Sequence, residues 1–312
     1  MMNKNIILRL SNEIGNQMFM YAAAYSIAKK MNRTLFIDDE TAFLLKKNIS
    51  SYGLNHFKIT TPKINDNLKF KYMKGYLKRK FLIKTDFIRS QKKFFIESKD
   101  KNKITNFSLD MLSEPFDDNF YLEGHFESEK YFNDIKKDIQ NEFTFKENVF
   151  FKNNFFYREI MKSNSVAICL RQNRFLEGRG KSTNLNKERS ENFTLEQINY
   201  INKTIKLIKT KIEKPKFFLW SNDLQSVPEN KFNFEYTNVD ITKVDNVKDT
   251  RILSLFLLKS CKHFITTTSS FNWWGAWLSS SPDKLIYRPS EKNFSDYKIN
   301  NKDFWPSDWF II

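Results

Sequence analysis

Cysteine is almost missing from this chain of 312 residues: Cys169 and Cys261 are its only two. Two thiols cannot build a disulfide framework, so the fold has to rest on buried apolar surface, and a reducing cytoplasm is the expected setting. Glycine and proline are scarce too, at seven each. Together with an excess of Lys, Asn, Ile and Phe, this reads as a compositional bias that carries little functional meaning. Met1 is not followed by the charged, apolar and small-residue leader of an exported protein. No apolar run suits a membrane span either. The longest uncharged stretch, residues 264–282, holds eight Ser and Thr residues and Asn272, which fits a buried motif. Internal repeats and long low-complexity tracts are also lacking.

What is present is enough to make a core. Hydrophobic residues make up 40% of the chain and 32 of them are Phe, which excludes a disordered polymer. The length suits two domains of about 150 residues, each able to bury its own interior. A formal charge of +16 would draw nucleic acid, an anionic membrane leaflet or an anionic substrate. The cations are scattered along helices and loops without a recognisable nucleic-acid motif, so nucleic acid is not the expected partner.

Residues 6–10 read as a buried strand, 11–15 as a tight loop, 16–30 as a helix and 34–37 as the next strand, one βαβ unit. Met18, Ala22, Tyr25 and Ala28 recur at helical spacing, and Ala22, Ala23 and Ala24 permit close packing on a sheet. From 48 to about 147 the pattern weakens into basic runs, and helices and loops are expected there. A second alternation opens at Val166: strand to 171, helix 195–211, strand 217–221, helix 248–259, strand 263–267, helix 272–279 and strand 285–287. Thr194 with Gln197 forms a capping-box pair for the first of these helices. The expected architecture is α/β, with two Rossmann-like domains on parallel sheets: 1–155 on the acceptor side and 156–312 on the nucleotide side. The boundary falls between Glu147 and Asn164.

Three strand-to-helix junctions carry candidate chemistry. Asn12-Glu13-Ile14-Gly15-Asn16-Gln17-Met18-Phe19 closes a strand and opens a helix, so its amides face an anion at the positive helix end, with Asn16 and Gln17 adding donors. A turn glycine and an N-cap asparagine explain the same residues without a ligand. After Val166–Arg171 comes Gln172-Asn173-Arg174-Phe175-Leu176-Glu177-Gly178-Arg179-Gly180-Lys181, which together with Arg171 places four cations within eleven residues, enough to neutralise a pyrophosphate. The third junction, Thr266-Thr267-Thr268-Ser269-Ser270-Phe271-Asn272-Trp273-Trp274-Gly275-Ala276-Trp277, sets Ser269 and Ser270 near a helix N-terminus, where hydroxyls and amides hold phosphate oxygens. Its tryptophans fit packing better than a sugar platform. The acidic pairs Asp38-Asp39-Glu40 and Asp117-Asp118 read as solvated acids, and no metal site is expected.

The segments Gly15-Asn16-Gln17-Met18-Phe19, Tyr121-Leu122-Glu123-Gly124-His125-Phe126-Glu127-Ser128-Glu129-Lys130-Tyr131-Phe132, 217–223 and 268–278 closely resemble, in order and spacing, bacterial α-1,2-fucosyltransferases of glycosyltransferase family 11. The closing Arg288-Pro289 and Trp305-Pro306-Ser307-Asp308-Trp309 resemble that family's carboxyl end, so the likeness covers nearly the whole chain. It implies a GT-B fold, GDP-fucose as donor, inversion at the anomeric carbon, no required metal or cofactor, and an oligosaccharide acceptor; the basic surface in turn suits an anionic inner leaflet, where lipid-linked acceptors are assembled.

The resemblance also assigns roles. Arg171 would hold the pyrophosphate, Ser221 and Asp223 would lie near the guanine base, and Thr268, Ser269 and Ser270 near the phosphates. Gly15, Asn16 and Gln17 would face donor phosphate or fucose, with Cys169 near the nucleotide. The family's strand ends His-x-Arg-Arg-x-Asp, whereas here it runs Cys169-Leu170-Arg171-Gln172-Asn173-Arg174, so only the first arginine is kept. Arg174, Arg179 or Lys181 would replace the second. That departure leaves open another GDP-sugar, such as a GDP-deoxyheptose, or an inactive glycan-binding relative. Glu177 is the candidate general base, with His125, Glu123 and Glu127 as rivals.

Overall fold

Ile6, Ile7 and Leu8 follow one another without a polar break, the pattern of a strand covered on both faces, and none has any exposed surface. The computed structural model describes residues 4–44, 51–97, 106–146, 151–176, 183–241, 250–291 and 302–312. The chain divides into two compact units, Met1–Lys146 with Lys302–Phe304, and Glu147–Asn301 with Trp305–Ile312. The sequence reading sets the division at 155/156.

In the first unit β1 (Asn5–Arg9), α1 (Ile14–Lys30), β2 (Thr34–Asp38), α2 (Tyr72–Thr85), β3 (Lys92–Ile96), β4 (Phe116–Glu123) and α3 (Lys136–Glu142) follow in order. The four strands form a wholly parallel sheet in the order β2-β1-β4-β3. Ala22, Ala23 and Ala24 of α1 are fully buried, because small side chains let the helix lie close on β1 and β2. Strands β3 and β4 fall where only helices and loops were expected. Asp117, Asp118 and Asn119 interrupt the apolar pattern of β4, and the edge strand β3 opens with two lysines, so neither shows a clean period. Asp303 closes this unit from far along the chain. Its carboxylate accepts from the Phe107 N–H at 3.0 Å and from Lys130 at 2.6 Å, and its carbonyl accepts from the Ser128 hydroxyl at 2.6 Å.

The second unit contains α4 (Phe155–Lys162), β5 (Asn164–Leu170), α5 (Asn184–Lys211), β6 (Pro215–Ser221), β7 (Thr237–Asn238), α6 (Thr250–Lys259), β8 (His263–Ile265), α7 (Ser270–Leu278), β9 (Ile286–Arg288) and β10 (Phe310–Ile311). Its strands are parallel in the order β7-β6-β5-β8-β9-β10. Counted from β5, that is the 3-2-1-4-5-6 order of a doubly wound dinucleotide fold. Val166, Ile168 and Leu170 of β5 pack against Ile198, Ile201, Ile205 and Ile208 of α5. Helix α5 begins at Asn184 rather than 195, with the Thr183 side chain accepting from the Asn186 N–H at 3.2 Å as its N-cap. Thr194 is therefore mid-helix and donates to the Ser190 carbonyl, and no capping box forms there. The early start is hidden because the first turns of α5 face water and carry few apolar residues. Among the described residues no helix is long and apolar enough to cross a membrane.

Candidate active site

In a doubly wound sheet the crevice opens at the carboxyl ends of the strands where the order reverses, here between β5 and β8. The register pairs Ile168 with Ile265, so Arg171 and Thr268, each three residues further on, leave the sheet side by side. The topology thus brings together the arginine loop and the hydroxyl turn that the sequence singled out separately.

Arg171 is held by its backbone. Its N–H donates to Gln197 Oε1 at 3.0 Å and its carbonyl accepts from Gln197 Nε2 at 2.7 Å, from a side chain with no exposed surface on α5. The next residues are tied to the loop after β6. The Gln172 N–H donates to Asn222 Oδ1 at 2.7 Å, Asn222 Nδ2 returns to the Gln172 carbonyl at 3.2 Å, and Gln172 Nε2 donates to the Asp223 carbonyl at 2.7 Å. Asn173, in left-handed backbone with φ 57°, donates from Nδ2 to the Asp223 carboxylate at 3.1 Å. Ser221 Oγ accepts from the Asp223 N–H. Ser221 and Asp223 therefore build the wall beside Arg171. A recess of about 460 Å³ in the same unit, lined by Asn154, Phe155, Phe156, Leu224, Gln225, Asn238 and Asp240, includes none of these residues. Gln172, at the position of the family's second arginine, is 3% exposed and its Oε1 has no partner.

The hydroxyl turn divides in two. Thr266 Oγ1 donates to the Tyr287 carbonyl and Thr267 Oγ1 accepts from Asn272 Nδ2, so both are spent on the fold. Thr268 Oγ1 is buried without a partner, and the N-cap Ser269 makes no side-chain bond to its own helix. A helix start whose cap hydroxyl makes no bond to its own helix, beside a buried orphan hydroxyl, has donors of the kind that suit an anion. Ser270 is the first residue of α7. That helix is anchored at both faces and at its far end. Trp273, Trp274 and Trp277 are buried and pack on one another, as the packing reading expected. Lys284 donates to the carbonyls of Ala276, Trp277 and Ser279, closing the helix C-terminus. Gly275 permits the approach of α6, since a Cβ there would stand 2.4 Å from Leu258 Cδ2.

One expected contributor is buried in the sheet. Cys169 is 1% exposed within β5 and burial pushes its thiol pKa well up, so it offers packing rather than contact. Glu177, with Arg179 and Lys181, lies outside the described residues.

The first unit has its own reversal, between β1 and β4. Asn12 and Asn16 come from the β1-to-α1 turn and His125 and Glu127 from the loop after β4. Asn12 Nδ2 lies 2.9 Å from His125 Nε2, Asn16 Nδ2 lies 3.4 Å from His125 Nδ1, and Asn16 Nδ2 donates to Glu127 Oε1 at 2.9 Å. His125 Nδ1 and Glu127 Oε1 stand 3.8 Å apart. Below them the buried Glu97 carboxylate accepts from the His125 and Phe126 N–H groups at 2.6 and 3.0 Å. Gly124 makes room for that carboxylate, as a Cβ would lie 2.5 Å from Glu97 Cβ. Burial raises the Glu97 pKa, opposed by the two amides.

Gly15 is buried in the first turn of α1. Gln17, expected to face the donor, is fully buried instead: its Nε2 donates to the Asn12 and Ser51 carbonyls and its Oε1 accepts from the Gly53 N–H. With all its hydrogen bonds inside the unit, it shapes the turn. Glu123, a rival base, is committed to Arg9 and Arg79. Glu97 escaped the sequence reading, and Gln197 entered it only as a capping-box residue, because each serves a partner distant in sequence.

Residues 2–312 match the family described as Glycosyl transferase family 11. The α-1,2-colitosyltransferase of Escherichia coli is 24% identical over 319 residues, 98% of either chain. The O-antigen biosynthesis glycosyltransferase WbnK of Escherichia coli is 23% identical over 301 residues, 90% of this chain and 92% of its own. Among solved structures, NodZ α-1,6-fucosyltransferase soaked with GDP-fucose shares a TM-score of 0.53 at 14% identity, over 94% of this chain and 97% of that one. Fucosyltransferase NodZ from Bradyrhizobium gives 0.50 at 13% identity, over 88% and 91%. That likeness is one of fold, the GT-B class built from two parallel α/β units. With the match running through both junctions of the second unit and the β4 loop of the first, the chain belongs to glycosyl transferase family 11 and is a glycosyltransferase.

Proposed function

We propose that this protein transfers L-fucose from GDP-β-L-fucose, with inversion and without a metal ion, to the 2-hydroxyl of galactose or a related sugar in a surface glycan. What supports this reading is that Arg171 and Thr268 each follow three residues after the paired Ile168 and Ile265 at the β5/β8 reversal, and that the Thr268 hydroxyl is buried and unpartnered. Inversion requires the acceptor hydroxyl to attack opposite GDP through a transition state with oxocarbenium character. Negative charge then grows on the β-phosphate, and preorganised donors aimed at it bind the transition state more tightly than the substrate. Arg171 and the Thr268, Ser269 and Ser270 turn are those donors. Glu177 beside the arginine loop is the candidate to take the acceptor proton; of its rivals, Glu123 is already spent on two arginines, which leaves His125 and Glu127.

The relatives support a surface-glycan acceptor: one is named for O-antigen biosynthesis and one for α-1,2 transfer of colitose. The second name, with the buried Gln172 at the second-arginine position, favours as a second reading a GDP-linked deoxy sugar other than fucose. Thermal unfolding in EDTA with GDP, ADP and UDP tests the donor side. A ligand at a hundredfold its dissociation constant stabilises by about 2.7 kcal/mol. A GDP-selective shift that Arg171→Ala abolishes supports the reading, and a panel of GDP-sugars with galactosides then identifies the donor. An intact fold with no shift at millimolar GDP would overturn it.

A further inference from the structure

A surface helix ordinarily turns its apolar stripe inward and its charges outward. Helix α2 does not. Its inner side carries Leu82 and Ile83, packed on the cluster of Ile7, Ile64, Phe94 and Tyr121, and Arg79, paired with Glu123. Its outer side holds Met73, Leu77 and Phe81, one helical step of four apart, exposed by 64, 58 and 66%. The 3-10 turn that follows adds Phe87 and Ile88, exposed by 83 and 71%. That turn is held in place, because the buried Asp86 carboxylate accepts from the Lys93 and Phe94 N–H groups at 2.9 and 3.0 Å.

The charge on this face has one sign. Lys74, Lys78, Lys80 and Lys84 are exposed, and among the described residues none has an acidic partner. Lys80 lies over the Tyr76 ring at 4.7 Å. The single acid of the segment, Asp86, is buried and turned inward. Five large apolar side chains held in water among unpaired lysines are costly in an isolated protein. They are what an anionic bilayer surface requires, with apolar groups entering the acyl boundary and lysines meeting phosphate headgroups.

We propose that the outer face of α2 with the turn Asp86–Ile88 docks this protein on an anionic phospholipid surface. The docking face is separate from the residues assigned to donor and acceptor, so it stands or falls independently of the proposed reaction.

The test is sedimentation of the full chain with vesicles of phosphatidylcholine alone and of phosphatidylcholine with phosphatidylglycerol. Binding is expected only to the anionic vesicles and to weaken in high salt. Leu77→Ser with Phe81→Ser and Phe87→Ser, and separately Lys74→Gln with Lys78→Gln and Lys84→Gln, should each reduce it at least about tenfold, in line with the size of apolar and per-lysine contributions at such surfaces. Because both native cysteines are buried, a Leu77→Cys variant takes an environment-sensitive dye selectively. Its emission should shift to the blue on anionic vesicles even if a triple variant fails to fold. No binding by the wild type, binding that both triple variants retain, or a label that never leaves water would overturn the proposal. So would light scattering that shows a wild-type dimer and a monomeric serine variant, which would make the face a contact between two copies.

Discussion

Gln197 grips the Arg171 peptide from both sides, accepting from its N–H and donating to its carbonyl. A buried side chain thereby extends the hydrogen bonding of β5 one residue past the sheet, at the point where the arginine must be aimed. Gln197→Ala leaves both peptide groups without these partners, at about 1–3 kcal/mol for a buried group so orphaned. A lower melting temperature and at least a tenfold loss of transferase kcat/KM are expected together. Lower stability with unchanged kcat/KM would show that the clamp serves the fold alone.

Arg171 itself separates charge from geometry. Removing a donor of this kind typically costs 10²- to 10³-fold in kcat, and Arg171→Ala should fall in that range. Arg171→Lys keeps the charge but loses the planar fork, so its rate should lie between the two. Initial rates at saturating donor check this, and an alanine variant as fast as wild type would remove Arg171 from the chemistry.

Gly275 sets how closely α7 lies against α6. A methyl group there meets Leu258 at 2.4 Å, and overpacking of this kind costs about 1–3 kcal/mol. Gly275→Ala should lower the melting temperature and, by moving the α7 start, weaken the shift produced by GDP. A full GDP shift in a destabilised variant would show that GDP binding tolerates displacement of that helix.

Glu97 gives the first unit a pH signature. Burial raises its folded pKa above the unfolded value, so its contribution to stability is fully present below the ordinary carboxylate pKa and is lost as pH rises through the folded one. Glu97→Gln retains an acceptor for the His125 and Phe126 amides and removes the charge. Its melting temperature should therefore gain on the wild type as pH is raised from about 4.5 to 7. Parallel pH profiles for the two proteins would refute the assignment.

The parts of the fold that showed in the sequence are those whose pattern is set locally. Val166 to Leu170 is apolar throughout because both faces of β5 are covered, and α1 shows its period because small residues contact the sheet. Strands β3 and β4 were hidden because edge lysines and the Asp117-Asp118-Asn119 break overwrite the apolar run with charge. The candidate site was readable at Thr268, Ser269 and Arg171, where a hydroxyl run and a charged loop follow strands. Gln17 and Cys169 looked equally suited to a ligand, and only tertiary burial distinguishes a side chain that faces a crevice from one that supports it.

Asp303 bears on the order in which the protein is made. The Phe107 amide, the Ser128 hydroxyl and Lys130 all bond to a residue that leaves the ribosome after strands β5 to β9 have been synthesised. Domains commonly fold as they emerge, amino-terminal first. Here the unit that begins the chain waits for its final hydrogen bonds until nearly all of the other has been translated, so a nascent chain halted at Lys146 holds an unfinished domain.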